Sequence, residues 1–254
     1  MRILLVNDDG IDAQGIKILE EIASDFTDDI WVVAPLHDQS GCSRSITLQP
    51  TLMIHEIGTG RYAVKGTPVD CVRVALGVLM SDHLPDLVLS GVNWGANLAE
   101  DLGYSGTCGA ILEARVMGYS GIAFSQAHQG GDSFRFSSAR SHLRTILTQL
   151  IEYQSHEPCS WSVNFPACDA QHVTGVHVVP QGQRSYDYQY EILQKNERIQ
   201  QVSLGMNRYI PDDRLSNGDD VSVVANNGIA VVPIQPFYGR DAALEEQFHF
   251  NLVL

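Results

Sequence analysis

Two adjacent carboxylates, Asp8 and Asp9, follow the apolar run Ile3-Leu4-Leu5-Val6 with only Asn7 between, and Gly10 comes next. A continuous apolar, partly β-branched run is the pattern of a strand buried on both faces of a parallel sheet. The acidic pair therefore stands where a buried strand ends, and Gly10 permits a sharp turn that can aim both side chains at one point. Two carboxylates with neutral oxygen donors suit a hard divalent cation, Mg²⁺ or Mn²⁺. The competing reading is a solvated turn or a helix cap, which is the one given to the Asp-Asp pairs that begin at Asp28, Asp212 and Asp219.

Neutral oxygen donors follow other apolar runs. They are Ser40-Gly41-Cys42-Ser43, then Ser90-Gly91-Val92-Asn93-Trp94-Gly95-Ala96-Asn97, then Ser105-Gly106-Thr107 ahead of a helical pattern. In open α/β sheets ligands bind beyond the carboxyl ends of the strands, so these loops and the acidic pair can meet. Ser105-Gly106-Thr107 can offer backbone N–H groups and two hydroxyls to an anion at a helix start; an ordinary N-cap is the plainer alternative. Gly58-Thr59-Gly60-Arg61-Tyr62-Ala63 has the letters of a dinucleotide fingerprint but falls in a hairpin with no helix after it.

The chain has 254 residues, and its 16 Lys and Arg stand against 30 Asp and Glu for a formal charge of −14. That balance disfavours a nucleic-acid duplex or an anionic bilayer as partner. An anionic small molecule must then be held by local donors or a metal. No apolar run approaches the roughly 18 residues that span a bilayer, and the one at the N-terminus stops at Val6, too short for a signal peptide. Cys42, Cys71, Cys108, Cys159 and Cys168 form no C-x-x-C pair and are expected to be reduced, as in a cytoplasmic protein. The nine histidines are scattered.

Around these loops the elements alternate. Helical spacing over 13–26 (Ile16, Leu19, Ile22, Ala23) separates the first strand from a second at 30–34, closed by Pro35. A helix is expected after Pro68, a strand at 87–89, a helix from about Thr107, a strand at 122–124, a long helix at 137–152, and strands at 161–163 and 176–179. This predicts an α/β fold, a doubly wound, Rossmann-like, mostly parallel sheet. After Pro180 the period becomes two: Tyr186, Tyr188, Tyr190 and Ile192, a turn at Lys195-Asn196, then Val202, Leu204 and Met206. We read a β-hairpin arm over 181–215 appended to a core sheet over 1–180, with 216–254 returning to the core and 1–254 forming a single α/β domain. A short helix is expected at 219–225 and a strand at 229–232.

The chain resembles the stationary-phase survival protein E (SurE) family of metal-dependent 5′/3′-nucleotidases. The resemblance rests on 2–10 (Arg2-Ile3-Leu4-Leu5-Val6-Asn7-Asp8-Asp9-Gly10), Val33-Ala34-Pro35 with Ser40-Gly41 and Ser43, Gly66-Thr67-Pro68 with Asp70-Cys71-Val72, Ser90-Gly91-Val92-Asn93 with Gly95 and Asn97-Leu98, and Tyr104-Ser105-Gly106-Thr107. Beyond Phe124 it thins to Ser125, Val163-Asn164-Phe165-Pro166 and Asp219. It implies one divalent ion per subunit on Asp8, Asp9, Ser40 and Asn93, and a substrate phosphate among Asn97, Ser105 and Thr107, with Gly106 between them. It also implies nucleoside monophosphates as substrates and a homodimer or homotetramer joined by an exchanged C-terminal arm. Cys108-Gly109 and Trp94 depart from the small residues usual there and are expected to alter the pocket's shape.

Other chemistries fit less well. Phosphatases of the D-x-D-G type need an aspartate where Asn7 stands, and a receiver domain needs an Asp where Ser90 follows its strand. Within the nucleotidase reading, Asp8 could orient or deprotonate water or could itself attack phosphorus. A metal-dependent nucleotide sensor without turnover is the non-enzymatic alternative.

Overall fold

The computed structural model describes residues 1–128, 136–153, 158–195, 200–209 and 217–236. Eleven strands and five α-helices lie among them: β1 (Ile3–Val6), α1 (Gln14–Ala23), β2 (Ile30–Pro35), β3 (Ile54–Gly58), β4 (Arg61–Val64), α2 (Pro68–Val74), β5 (Leu87–Trp94), α3 (Gly106–Val116), β6 (Gly121–Gln126), α4 (Ser137–Glu152), β7 (Ser160–Phe165), β8 (Val176–Val178), β9 (Ser185–Lys195), β10 (Gln200–Tyr209), α5 (Asp220–Ala225) and β11 (Ile229–Pro233). Nine strands form one sheet in the order β3-β4-β2-β1-β5-β6-β7-β11-β8, and β9 and β10 form a second, two-stranded antiparallel sheet. In the large sheet the β3–β4 and β7–β11 pairs are antiparallel and the other described pairs are parallel.

The residues of β1 explain its central place. Ile3 and Leu5 enter the core under α1 and α4, while Leu4 and Val6 enter the core under α2 and α3, as the two-residue period of a strand requires. Both faces are covered, so all four side chains are fully buried. From β1 the chain builds outward on one side through β2 and on the other through β5. The switch point therefore opens between the ends of β1 and β5, where such folds place their ligands.

Three sequence expectations need correction. The strand expected at 87–89 runs on to Trp94, so 90–94 is paired backbone and not a loop. Its polar residues hid it, as did a register shift against β6 between Ser90 and Asn93. Gly91 sits in that shift with φ +123°, and a Cβ there would lie 2.3 Å from the Phe124 carbonyl oxygen. The helix expected over 13–26 stops at Ala23. The helix after Pro68 ends at Val74 and continues as a π-helical turn, Ala75–Leu79. The strand expected at 176–179 is present as β8, an exposed edge, and β11 lies between it and β7. The hairpin arm is present, with Tyr188, Tyr190 and Ile192 directly opposite Met206, Leu204 and Val202. Its expected turn at Lys195-Asn196 falls partly outside the described residues, as do Asp212, the stretch 210–216 and the C-terminal 237–254.

α1 lies so close to β5 that a Cβ on Gly15 would stand 1.8 Å from the Val92 carbonyl oxygen, beside Asn93. Backbone cannot yield cheaply there, so Gly15→Ala is expected to destabilise the protein by about 3 kcal/mol, the upper end of ordinary overpacking costs. The urea midpoint measures this, and an unchanged midpoint would refute the close approach.

Candidate active site

β1 delivers Asp8 and Asp9 to the switch point. Asn7, fully buried, donates from Nδ2 to the Gly10 carbonyl oxygen at 2.7 Å, and Gly10 takes φ +101°. That tight turn is the one the glycine predicted, and it presents Asp8 inward at 3% exposure and Asp9 half-buried beside it.

The second loop is fastened to the first. The Gln39 N–H donates to the Asp8 carbonyl oxygen at 2.8 Å, and the Ser40 N–H donates to Asp38 Oδ1 at 2.7 Å. Asn93, near the end of β5, donates from Nδ2 to the Gly95 carbonyl oxygen at 2.7 Å. Ser105 caps α3, its Oγ accepting from the Cys108 N–H at 3.1 Å. The anchored loops enclose a cleft of about 220 Å³ lined by Asp8, Ser40, Asn93, Asn97 and Ser105, among others. Five of the eight expected site residues thus share one cavity.

The other three lie around it. Thr107, with no exposure, donates from Oγ1 to Asp8 Oδ1 at 2.5 Å. Its hydroxyl is therefore directed at the carboxylate. Gly106 lies against the same side chain: a Cβ there would meet Asp8 Cβ at 2.8 Å and Oδ2 at 3.0 Å. Only a glycine lets the first turn of α3 approach Asp8 this closely. Asp9 receives a hydrogen bond from the Trp94 backbone N–H.

Both carboxyls are pushed above the ordinary aspartate range. Burial is the main cause for Asp8, opposed by the hydroxyl and backbone N–H of Thr107. Asp9 is pushed up to about 7, first by burial and then by the neighbouring charge of Asp8, against the Trp94 donor. Among the described residues no Lys, Arg or His forms an ion pair with either. Two buried like charges with no protein cation are what a divalent ion would neutralise. No group of three or more His, Cys, Asp and Glu residues gathers among the described residues. Asp8, Asp9, Ser40 and Asn93 could together offer an all-oxygen set to a hard cation.

Sequence reasoning missed other parts of the wall. Asp101 and Tyr104 line the cleft. Trp94 lines it as well, its ring stacked on His128 with centroids 5.2 Å apart, so this departure does shape the pocket. Cys108 is buried outside that lining, with Sγ 3.8 Å from Ser162 Oγ. Gly109 fits because a Cβ would lie 2.6 Å from the Ser43 carbonyl oxygen. The available signal was polar residues inside apolar strands, Ser125, Ser162 and Asn164, all fully buried.

Comparison with known proteins agrees with this fold. The family model described as Survival protein SurE matches residues 3–188. The 5′-nucleotidase SurE of Methylorubrum populi is 40% identical over 244 residues, covering 92% of this chain and 93% of that protein. The protein of the same name from Nitrobacter winogradskyi is 41% identical over 242 residues, with the same coverage. The crystal structure of the SurE protein from Aquifex aeolicus superposes with a TM-score of 0.82 at 30% identity, covering 97% of this chain and 98% of that one. On the order of its motifs, the placement of its acidic pair and these matches, the chain belongs to the SurE family.

Proposed function

We propose that this protein is a metal-dependent phosphomonoesterase that hydrolyses nucleoside 5′- and 3′-monophosphates to nucleoside and phosphate, using one Mg²⁺ or Mn²⁺ per subunit. The observation that carries this reading is the contact of Thr107 Oγ1 with Asp8 Oδ1 at 2.5 Å. It joins the acidic pair to the first turn of α3, so a cation site and an anion site share one cleft.

Asp8, Asp9, Ser40 and Asn93 would hold the ion, which when bound supplies charge neutralisation and Lewis acidity toward a phosphoryl oxygen. Ser105, Asn97 and the Gly106 N–H at the start of α3 would receive the phosphate oxygens, whose spread negative charge is what phosphoryl transfer chiefly requires to be stabilised. Thr107 would act by fixing Asp8: with Oδ1 held by its hydroxyl, Oδ2 is left to orient the attacking water or take its proton. The free thiols at all five cysteines support a reducing, cytoplasmic setting. No described helix is long and apolar enough to cross a membrane.

The exposed arm supports an assembly role. Tyr190 is 67% exposed and Leu204 74%, facing each other across the hairpin with Ile192 and Val202 beside them. A lone hairpin with an apolar row is marginal in water, and aromatic anchors of this kind belong to subunit interfaces. The arm would join subunits in a homodimer or homotetramer.

Phosphate release from AMP should require added Mg²⁺ or Mn²⁺ and stop on chelation, and full activity in chelator would overturn the proposal. AMP binding without phosphate release would instead identify a sensor. Asp8→Asn is expected to lower kcat by at least ~10²-fold, as for loss of a proton acceptor; normal turnover would remove Asp8 from the mechanism.

The raised carboxyls also fix a sign. Their folded pKa values exceed the unfolded value of 3.8, so the folded state binds protons more tightly than the unfolded one. Metal-free protein should therefore lose stability as pH rises from about 4, with the contribution of Asp9 fully lost above about 7. Melting temperature with chelator at about pH 5 and about pH 8 measures this, and Asp9→Asn should flatten the dependence. A metal-free melting temperature that rises across this interval in wild type but not in Asp9→Asn would contradict the burial of the pair.

Replacing 186–206 with a short Gly/Ser bridge should shift the protein toward monomer by light scattering while the core circular dichroism persists. A deletion protein that keeps the wild-type mass would end the arm's role in assembly.

A further inference from the structure

Beneath the phosphate side of the cleft runs a buried polar chain that the proposed reaction does not use. Asn164, near the C-terminal end of β7 and fully buried, grips the backbone of Asn97 with both ends of its amide. Its Oδ1 accepts from the Asn97 N–H at 2.8 Å, and its Nδ2 donates to the Asn97 carbonyl oxygen at 3.0 Å. The side chain of Asn97 is held in turn, donating from Nδ2 to the hydroxyl of Ser125 on β6 at 2.8 Å. Asn164 also donates to Ser162 Oγ at 3.3 Å.

Such a group is costly to place in an apolar strand unless each polar atom finds a partner. Here an amide side chain makes the two bonds of a strand neighbour to a residue on a segment that is no strand. The segment after β5 has no ladder of its own at Asn97, and Gly95 precedes it with φ +142°. Without the clamp, the backbone at Asn97 would be held only through its flanks, by the Gly95 N–H on the Gln126 carbonyl oxygen and the Ala99 N–H on Asp220. β6 and β7 are fixed by the sheet on both sides, so they make a rigid base for it.

We propose that Asn164, with Ser125, is a positioning residue for phosphate recognition: it touches no substrate and acts by fixing Asn97. The proposal rests on the reading of Asn97 as a phosphate-binding residue. It separates the two halves of the site by origin, because the metal residues follow β1, β2 and β5 while Asn164 stands on β7, which is not a neighbour of β5, although Ser125 on β6 lies opposite Asn93. Loss of the clamp should therefore weaken binding of a phosphoryl group while leaving the response to metal alone.

The test uses Asn164→Leu, close in volume but unable to bond, Asn164→Gln as the conservative variant, and Ser125→Ala as a milder lesion that folds if Asn164→Leu does not. For each, KM and kcat for AMP, inhibition by inorganic phosphate and the Mn²⁺ concentration for half activation are measured. Asn164→Leu should raise KM and the phosphate inhibition constant by up to ~10²-fold, the order set by misplacing a binding group. Ser125→Ala should raise them less, Asn164→Gln should recover part of the loss, and the Mn²⁺ requirement should not move. In an Asn97→Ala background, Asn164→Leu should add little. A parallel rise in the Mn²⁺ requirement, or additive losses in the double variant, would show a merely structural role and overturn the proposal. So would Asn97→Ala raising KM while both clamp variants keep the wild-type value. If Asn97→Ala itself leaves KM and phosphate inhibition unchanged, the assignment of Asn97 has failed and the clamp proposal falls with it.

Discussion

Two adjacent carboxylates, one buried and one half-buried, with no cation from the described residues paired to either, are the constraint around which this structure is arranged. Burial raises both, and the charge of Asp8 raises Asp9 further, to about 7. A chain carrying a formal charge of −14 has no global field to offset them. Relief comes only from local donors: the hydroxyl and amide of Thr107 on Asp8 and the Trp94 amide on Asp9. Those donors come from two segments, the start of α3 and the end of β5, and both must come within hydrogen-bonding distance of the end of β1.

That requirement explains the glycines. Gly106 lets α3 approach Asp8, Gly109 lets the same helix lie on the backbone at Ser43, and Gly15 lets α1 press against Val92 just before Asn93. A methyl group at any of the three would meet Asp8 or backbone at 2.8 Å or less. The closeness that makes the site also concentrates its sensitivity to substitution on residues that carry no chemistry. Such positions are structural in contact and functional in effect.

The sequence showed what is periodic and what is abrupt. The run Ile3-Leu4-Leu5-Val6 ending in Asn-Asp-Asp-Gly located the strand and the acidic turn, and Pro68 and Ser105 located two helix starts that the structure caps with Thr67 and Ser105. The long helix expected at 137–152 is present with those bounds. β5 was not legible to its end, because a strand that changes register at Gly91 and carries Ser90 and Asn93 loses the apolar pattern that identifies a strand. Ser40, Asn93, Asn97 and Ser105 could be named as candidates, but their meeting in one cleft depends on strand order, which no local pattern encodes. The direction of the Thr107 hydroxyl toward Asp8 and the clamp of Asn164 on Asn97 are likewise products of register between distant segments, 99 and 67 residues apart in the chain.

The same segment that carries the cleft wall also receives the root of the arm. Ala99 takes φ +50°, a conformation unfavourable for a residue with a side chain. It is held there on both sides: its N–H donates to Asp220 Oδ2 at 2.9 Å and its carbonyl oxygen accepts from Gln181 Nε2 at 2.8 Å. The other oxygen of Asp220 accepts from the Gly182 N–H at 2.8 Å, so one fully buried carboxylate bridges the wall and the start of the arm. Arg184 completes the seam, with Nη2 2.6 Å from Asp101 Oδ2 and 3.0 Å from the Leu98 carbonyl oxygen. Asp101 is itself a lining residue of the cleft. The arm therefore does not hang from the sheet by a free linker. Its first residues and the wall between Asn97 and Tyr104 are tied together by the Asp220 carboxylate, the Gln181 amide and the Arg184 guanidinium.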